Sequence, residues 1–277
     1  MTALDLEAEY NNRQRVPAHP AIVARWIAES ARARADLAST LDIAYGPQER
    51  QRYDLFHAAT AAQDAPVVVY IHGGYWAARD RKDYSFVARA FANQGITVAI
   101  PSYTLCPATT VAGIIDEMRA FLAALHKRTG RRAVVAGHSA GGHLAASMLA
   151  TDWSTIAGAP AGLVTAAYAI SGVFELEPLI ATSINDPLHL DAAAARAASP
   201  LLWPAPTSGT LVAAVGGIES SEFLRQSRVI AGAWARSGVA TEYYAVPDAD
   251  HFTVLAPLAD ASSSMSRRIA ELARACR

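Results

Sequence analysis

The stretch Arg132-Ala-Val-Val-Ala-Gly-His-Ser-Ala-Gly-Gly-His143 decides the fold. Its apolar residues 133–136 predict a short buried strand, residues 143–149 predict a helix, and Gly137-His-Ser-Ala-Gly141 between them fits the pattern G-x-S-x-G. In a sharp turn from strand to helix, side chains at the two glycine positions would collide with the neighbouring backbone, and the serine takes a strained conformation with its hydroxyl exposed. The stretch therefore predicts a nucleophile elbow at Ser139, although G-x-S-x-G alone also arises by chance in a glycine-rich turn.

The rest of the chain alternates strand and helix patterns. Residues 67–71, Val-Val-Val-Tyr-Ile, form a continuous run that is typical of a strand buried on both faces. Ahead of it, residues 40–45 and 50–58 predict an antiparallel pair at the start of the sheet. The alternation predicts an α/β fold, a mainly parallel central sheet with helices on both faces. Further strands are predicted at residues 97–101, 163–170, 209–215 and 241–246, and helices at residues 86–93, 111–127, 222–237 and 265–275.

Length and composition predict one domain. With 277 residues, of which 52% are hydrophobic, the chain can bury one large core, and its composition does not break into two parts. Within the single domain of residues 1–277, we expect residues 1–40 to form an N-terminal helical arm. Residues 174–207 interrupt the alternation with one short helix, on the side of the sheet where open α/β sheets bind ligands. We expect this segment to form a small helical cap.

Charge and cysteine content narrow the class of partner. A net charge of −1 gives no electrostatic reason to expect a nucleic acid or an anionic membrane as partner. The two cysteines, Cys106 and Cys276, are far apart, which argues against a disulfide framework or a zinc site. The N-terminus lacks the pattern of a signal peptide, and no apolar run approaches the roughly 20 residues that span a bilayer. We therefore expect a cytoplasmic protein that binds a small-molecule substrate, with a homodimer left open.

The predicted elbow serine needs a base. A serine hydroxyl is a weak nucleophile near neutral pH and requires a base at hydrogen-bond distance, itself oriented by a third group. In folds with a nucleophile elbow the order along the chain is serine, acid, histidine, and His189 and His251 are the histidines well downstream of Ser139. His251 directly follows a predicted strand, at the same sheet edge as the elbow, whereas His189 falls in the irregular cap. His251 is therefore the predicted base.

The predicted acid is Glu219. It is the first acidic residue after the predicted strand at residues 209–215, which is the strand before the one that His251 follows. Glu222 lies one helical turn further on, where a carboxylate at the start of a helix favours the positive end of the helix dipole. Asp250 is too close in sequence to fold back onto the imidazole, whereas Asp248 stays open as an alternative acid.

A glycine pair stands upstream of the elbow. His72-Gly73-Gly74 follows the predicted strand at residues 67–71, the place where folds of this type form an oxyanion hole from backbone N–H groups. Glycine lets a loop turn its amides toward a substrate oxygen without a side chain in the way. The predicted donors are the N–H groups of Gly73 or Gly74 and of Ala140. We expect His72 to hold the loop rather than to transfer a proton.

Five aromatic residues at strand ends or in the cap are candidates for a pocket wall. Tyr75 and Trp76, next to the glycine pair, are stronger candidates than Tyr103, Phe174 and Trp203, and packing in the core is the alternative for each. We predict Tyr75, Trp76 and Phe174 as substrate-pocket residues. A pocket lined by aromatic rings would suit an aryl leaving group such as an aniline or a phenol.

The motifs described above resemble those of a known family. The order His72-Gly-Gly-Tyr-Trp76, Gly137-His-Ser-Ala-Gly-Gly-His143 and Asp248-Ala-Asp-His-Phe252 is similar to the α/β-hydrolase superfamily, and more narrowly to its arylformamidase (kynurenine formamidase) branch, close to the hormone-sensitive-lipase-like esterases. Stretches outside the motifs share the resemblance, among them Glu9-Tyr-Asn-Asn-Arg-Gln-Arg-Val-Pro17 and Ser171-Gly-Val-Phe-Glu-Leu-Glu-Pro-Leu179. The resemblance covers nearly the whole chain.

The resemblance implies an α/β-hydrolase fold and hydrolysis of N-formyl-kynurenine or related aryl formamides, with activity on short-chain aryl esters. It implies that Ser139 is the nucleophile, His251 the base and position 219 the acid. The family usually has Asp at the acid position, so Glu219 departs from its pattern. Neither a metal nor an organic cofactor is implied, and the H-x-G-T-H signature of the unrelated metal-dependent formamidases is absent.

Three functions fit these residues. The first is an arylformamidase, the second a carboxylesterase that accepts many small esters, and the third a non-catalytic ligand-binding member of the fold. The complete set of serine, acid and histidine disfavours the third. The first two use one mechanism and differ in pocket shape and leaving group, so the sequence leans toward the first without deciding.

Overall fold

One sheet runs through the described part of the chain. The computed structural model describes residues 4–59 and 64–276. Within these ranges the sheet has eight strands in the order β1-β2-β4-β3-β5-β6-β7-β8. Strand β2 pairs antiparallel with β1 and β4, and the remaining pairs are parallel, which confirms the predicted mainly parallel sheet. The strands are β1 (Ser39–Ala44), β2 (Arg52–Phe56), β3 (Val67–Ile71), β4 (Thr97–Pro101), β5 (Ala133–His138), β6 (Val164–Ile170), β7 (Thr210–Gly216) and β8 (Ala240–Val246).

Helices cover both faces of this sheet. Successive side chains of a strand point to opposite faces, so Val67, Val69 and Ile71 of β3 pack with α5, α6 and α8, whereas Val68 and Tyr70 pack with α3, α4 and α9. The two apolar layers that result enclose the sheet, as the continuous apolar run of β3 predicts. The helices are α1 (Leu6–Tyr10), α2 (Asn12–Arg15), α3 (His19–Asp36), α4 (Ala88–Ala92), α5 (Val111–Thr129), α6 (Ala140–Leu149), α7 (Ala192–Ala197), α8 (Ser221–Arg236) and α9 (Ser264–Ala275).

The N-terminal arm consists of α1, α2 and α3, and the first three residues of the predicted arm lie outside the described residues. Two of its carboxylates bind other parts of the fold. Glu7 accepts hydrogen bonds from the hydroxyl and backbone N–H of Ser183 in the cap. Glu9 accepts from the Ser221 hydroxyl and the Glu222 N–H, and so satisfies a free donor at the start of α8. The arm therefore binds both the cap and the start of α8.

The cap follows β6. Short 3-10 turns at Glu177–Ala181, Ser183–Asn185 and Pro200–Leu202 accompany α7 there. The side chain of Gln226 in α8 accepts hydrogen bonds from the backbone N–H groups of Phe174 and Glu175 at 2.7 and 2.9 Å. These two hydrogen bonds join the beginning of the cap to α8.

The turn from β5 to α6 requires glycine at two positions. A Cβ atom at Gly141 would lie 2.0 Å from the carbonyl oxygen of Ile71, and one at Gly137 would lie 2.2 Å from the carbonyl oxygen of Gly141. Between them Ser139 has φ 57° and ψ −118°, a conformation that side chains rarely adopt. Close approach of α6 to the strands therefore holds Ser139 in the conformation that the sequence predicts.

We expect Gly141→Ala to lower the free energy of unfolding by about 3 kcal/mol or more, because the added methyl meets backbone rather than a flexible side chain. Urea unfolding followed by circular dichroism measures this effect. Gly232→Ala in α8 is the matched control: its Cβ would meet only a side-chain nitrogen of Arg236 at 3.5 Å, so we expect unchanged or slightly higher stability. Equal stability of the Gly141→Ala variant and the native chain would contradict this account of the turn.

Candidate active site

The functional candidates lie at one edge of the sheet, where parallel strands end side by side. Ile71 at the end of β3 pairs with Gly137 near the end of β5, and Gly216 at the end of β7 pairs with Val246 at the end of β8. Loops that leave neighbouring strand ends therefore meet. These loops carry Gly73, Gly74, Ser139, Ser171, Glu219 and His251.

Ser139 lies between β5 and α6, and α6 begins at the next residue. Its backbone N–H donates to the carbonyl of Ile170 at 2.8 Å, which ties the turn to β6. Ser139 and His251 line the same small cavity, of about 40 Å³. The hydrogen bonds of the described residues do not include one between the Ser139 hydroxyl and the imidazole of His251, so the two side chains share the cavity without a direct bond.

Glu219 and His251 are in direct contact. The Nδ1 atom of His251 donates to Oε2 of Glu219 at 2.6 Å, and both side chains are almost fully buried. The other carboxylate oxygen, Oε1, accepts from the Ser171 hydroxyl at 2.5 Å and from the Gly216 N–H at 2.7 Å. Three donors thus fix one buried carboxylate, and the carboxylate in turn fixes the tautomer and the orientation of the imidazole. No described residue forms a hydrogen bond with its Nε2 atom.

The imidazole of His251 is also held by rings. Its centroid lies 4.6 Å from the rings of both His138 and Phe223. His138, the residue before the elbow serine, donates from Nε2 to the backbone carbonyl of His251 at 2.8 Å. Burial, with a smaller contribution from His251, lowers the pKa of His138 well below its usual value, so His138 stays neutral. The elbow and the histidine loop are therefore joined by a neutral hydrogen bond.

The alternative acids and the alternative base lie elsewhere. Asp248 is exposed, and Asp250 accepts hydrogen bonds from the backbone N–H groups of Phe252 and Thr253, both at 2.8 Å, which caps the turn that follows. His189 is exposed in the cap. The structure thus brings Glu219, rather than either aspartate, to His251.

The glycine pair lies against the elbow. A Cβ atom at Gly73 would be 2.7 Å from the carbonyl oxygen of His138 and 3.0 Å from Cβ of Ser139, and Gly74 has φ 111°. Ala140 is the first residue of α6, so its N–H has no partner within the helix. Within the described ranges of the chain, the N–H groups of Gly73, Gly74 and Ala140 donate no hydrogen bond. Unpaired donors therefore lie close to the serine.

His72 holds this loop. Its Nδ1 lies 2.8 Å from the carbonyl oxygen of Gly73, and its ring stacks on Tyr103 at 4.4 Å. The Tyr103 hydroxyl donates to the carbonyl of His72 at 3.0 Å. Burial lowers the pKa of His72 to about 4, which keeps the ring neutral. This placement agrees with the expectation that His72 has a supporting role.

The predicted pocket aromatics divide between pocket and core. Tyr75 lines the cavity at Ser139. Trp76 and Phe174 are instead fully buried in the core and do not line that cavity, and Tyr103 is likewise fully buried. Trp76 sets its ring edge-on to His143 at 4.9 Å, beneath the loop. The reason is the backbone of the loop: Tyr75 and Trp76 both have positive φ, of 48° and 55°, and the turn sends Trp76 inward.

Sequence reasoning missed several residues that line the cavity. Trp26, Tyr84 and Phe252 form an aromatic wall in which Trp26 lies 5.6 Å from Tyr84 and 6.1 Å from Phe252. Asn12 and Arg13 reach the cavity from the N-terminal arm. Residues 9–17 share the resemblance to the arylformamidases, and this resemblance could have indicated a role for Asn12 and Arg13. Nothing in the sequence indicates that Trp26 of α3 faces the elbow. Ser171 could have been found, because it directly follows a strand that ends at the same edge.

Two further properties concern the described residues alone. Among them, no three His, Cys, Asp or Glu side chains are grouped as a metal site would require. None of their helices is both long and apolar enough to cross a membrane.

The chain is similar to known hydrolases in sequence and in fold. The family model described as BD-FAE matches residues 53–158. The kynurenine formamidase of Danio rerio is 27% identical over 248 residues, which cover 87% of this chain and 84% of that protein. The crystal structure of a candidate thioesterase from Silicibacter sp. TM1040 is 32% identical, with a TM-score of 0.88 over 96% of this chain and 99% of that one. A hormone-sensitive lipase from a metagenome library shares the fold, with a TM-score of 0.69, 20% identity and 89% coverage of each chain.

Three buried histidines near the site predict how stability depends on pH. Burial lowers the pKa of His72 and His143 to about 4, and it also lowers the pKa of His138 well below its usual value of 6.5. Between pH 6.5 and 4 the unfolded chain therefore binds protons that the folded chain does not, so the stability present above pH 6.5 is lost as the pH falls. We expect Tm to decrease over this range, and His143→Gln to make the decrease smaller. Thermal unfolding at a series of pH values measures both slopes, and an unchanged slope in the variant would contradict the assignment.

Proposed function

This chain belongs to the α/β-hydrolase superfamily, in the branch that resembles the arylformamidases, and on that premise we propose that it hydrolyses aryl formamides or small aryl esters through Ser139. It is an enzyme of the esterase and formamidase type. The hydrogen bond from His251 to Glu219 beside the strained Ser139 is the observation that carries the proposal. A serine and an imidazole in one cavity, with a buried carboxylate bound to Nδ1 of that imidazole, are the parts that covalent acyl transfer needs.

The reaction proceeds in two steps through an acyl-enzyme. His251 takes the proton of the Ser139 hydroxyl as the oxygen attacks the carbonyl carbon of the substrate. The C–N or C–O bond then breaks, and the imidazolium gives its proton to the departing amine or phenol. Water, deprotonated by the same imidazole, attacks the acyl-serine and releases formate or another carboxylic acid. Glu219 stabilises the imidazolium in both steps, since the carboxylate is fixed at Nδ1.

The N–H groups of Gly73 or Gly74 and of Ala140 bind the oxyanion. They lie next to Ser139 and are unpaired among the described residues, so they are available to an oxygen that becomes negative in the transition state. A donor of this kind contributes about 3 kcal/mol to the lowering of the barrier. The N-terminal end of α6 adds a favourable dipole at the same place.

The shape of the cavity supports a small acyl group and an aryl leaving group. A volume of about 40 Å³ beside Ser139 suits a formyl or acetyl carbonyl rather than a long acyl chain. An adjoining cleft of about 410 Å³ shares Gly74 and Tyr75 with this cavity, and it has room for an aryl leaving group that packs on the Tyr75 ring. N-formyl-kynurenine has both features, and the Danio rerio relative is a kynurenine formamidase. The second candidate, a general carboxylesterase, uses the same residues and is favoured by the esterases among the structural relatives.

Substitution of Ser139 and Glu219, with Asp248 as a control, tests the mechanism. We expect Ser139→Ala to lower kcat by roughly 10⁴ to 10⁶ and Glu219→Ala by roughly 10² to 10⁴, with the fold retained, because each removes a group that acts only in the transition state. Asp248→Ala is the matched control. Its carboxylate is exposed and does not contact His251, so turnover should stay within twofold of the native enzyme. Steady-state hydrolysis of p-nitrophenyl acetate measures all three, and a larger loss in Asp248→Ala than in Glu219→Ala would move the acid to position 248.

A comparison of substrates separates the two candidate functions. We expect kcat/KM for N-formyl-kynurenine to exceed that for p-nitrophenyl acetate at least tenfold after correction for the intrinsic reactivity of each carbonyl. The Tyr75 ring packs on the aryl group in the adjoining cleft, and the formyl group fits the small cavity. Absorbance assays of both reactions with one enzyme preparation give the ratio. A preference for short-chain alkyl esters over both substrates would favour the carboxylesterase.

A further inference from the structure

A second cavity lies behind one wall of the cavity that contains Ser139. It has a volume of about 170 Å³ and lies between α3 and the 3-10 segment Thr253–Ala259. Among the described residues, Trp26 and Phe252 are the two that line both cavities. The rings of Trp26 and Phe252 therefore form a partition between the space at the serine and the space behind it.

Aromatic packing surrounds this partition. The ring of Trp26 lies 6.1 Å from that of Phe252, 5.6 Å from that of Tyr84 and 6.3 Å from that of Phe86. Trp26 and Phe252 are both almost fully buried. Rings at such distances stabilise one another through offset and edge-to-face contacts. The indole of Trp26 is therefore a well-packed wall of the catalytic cavity.

The space behind the partition suits an alkyl chain. Apart from the two rings, its apolar wall consists of Ile22, Phe86, Ala256 and Ala259. Two charged residues also line it, but Arg25 is exposed and Glu29 is half-buried, so their charges can remain in water. An apolar cavity of about 150 Å³ is large enough to bind benzene, which has six carbon atoms. The second cavity thus has room for a chain of several carbons.

We propose that Trp26 sets the length of the acyl group that this enzyme accepts. The inference rests on the proposed hydrolysis at Ser139 and names the residue that limits its substrates. The catalytic cavity adjoins the cleft of about 410 Å³ beyond Tyr75 and, behind the partition, the cavity of about 170 Å³. The carbonyl carbon of an ester or amide has two substituents, and the leaving group takes the wider cleft. The acyl group therefore faces the partition, and Trp26 stops it after one or two carbons.

Trp26 is the better of the two rings for a test of this partition. Phe252 directly follows His251, and its ring lies edge-on to the imidazole at 5.7 Å, so its substitution would also disturb the base. Trp26 comes from α3, far from His251 in the chain. Its substitution opens the partition and leaves the sequence of the histidine loop unchanged.

The test uses p-nitrophenyl esters that differ only in the acyl group. We measure kcat/KM for the acetate, the butanoate and the hexanoate with the native enzyme and with Trp26→Ala. The native enzyme should prefer the acetate to the hexanoate by at least about 100-fold, because a small pocket rejects surplus methylene groups. In Trp26→Ala the ratio of hexanoate to acetate should rise at least about 50-fold, since each CH₂ that becomes buried contributes about fourfold to binding. Trp26→Leu, a smaller truncation, should give a smaller rise.

Two further variants and a second substrate series serve as controls. Val23→Ala truncates another buried side chain of α3 that lines neither cavity, so it should keep the native ratio. Ala256→Phe, added to Trp26→Ala, should lower the ratio again, because Ala256 lines the second cavity alone and its new ring fills that space. Phenyl acetate and 4-butylphenyl acetate differ only in the leaving group. Their ratio should be the same in Trp26→Ala and in the native enzyme.

Three results would overturn the inference. The first is a native enzyme that hydrolyses the hexanoate as efficiently as the acetate. The second is a native ratio in both Trp26→Ala and Trp26→Leu while the acetate is still hydrolysed. The third is a gain confined to the leaving-group series, since the partition would then face the leaving group. Failure of the proposed function is a separate result: hydrolysis of the acetate would then persist in Ser139→Ala.

Discussion

The structure depends on the close packing of α6 against the end of β3. No side chain fits between them, because the backbone of Gly141 touches the backbone of Ile71 and Gly137 touches Gly141. This contact forces the chain to reverse at Ser139 with φ 57°, at a cost of order 1 to 3 kcal/mol that the surrounding packing must offset. As a result, Ser139 lies at the edge of the sheet, beside the N–H groups of Gly73, Gly74 and Ala140, which are unpaired among the described residues. Its position is set by the backbone and hardly by its own side chain.

The elbow also determines where the histidine lies. His138 belongs to the elbow, and its Nε2–H binds the backbone of His251, so the loop after β8 is tethered to the turn after β5. Glu219 reaches the other side of the imidazole from the loop after β7, and Ser171 supports it from the loop after β6. Four neighbouring strand ends therefore supply one group each. The arylformamidases usually have Asp at the position of Glu219. The longer Glu side chain fits here because hydrogen bonds hold both of its carboxylate oxygens.

The sequence was most informative where a motif coincided with a strand end. The parallel order of the strands brings Ser139, Glu219 and His251 together from patterns that sequence reasoning recognises, and the contact between Glu219 and His251 follows from that order. The sequence was least informative about the direction in which side chains in a loop point. Trp76 is adjacent to Tyr75, yet positive φ at both residues sends one ring to the core and the other to the cavity. Contacts over long sequence distances, such as that of Trp26 with the cavity, leave no local pattern and can be recognised only in the folded chain.

The central claim is that Ser139 becomes covalently acylated with the help of His251. Reaction with a fluorophosphonate tests this claim most directly, because the reagent forms a P–O bond to an activated serine and releases fluoride. The mass of the intact protein gives the number of labels, and peptide mapping identifies the labelled residue. The account predicts one phosphonyl group per chain, located on Ser139, and loss of the label in the variant His251→Ala. Labelling of a different residue, or unaltered hydrolysis of p-nitrophenyl acetate while Ser139 is fully labelled, would contradict it.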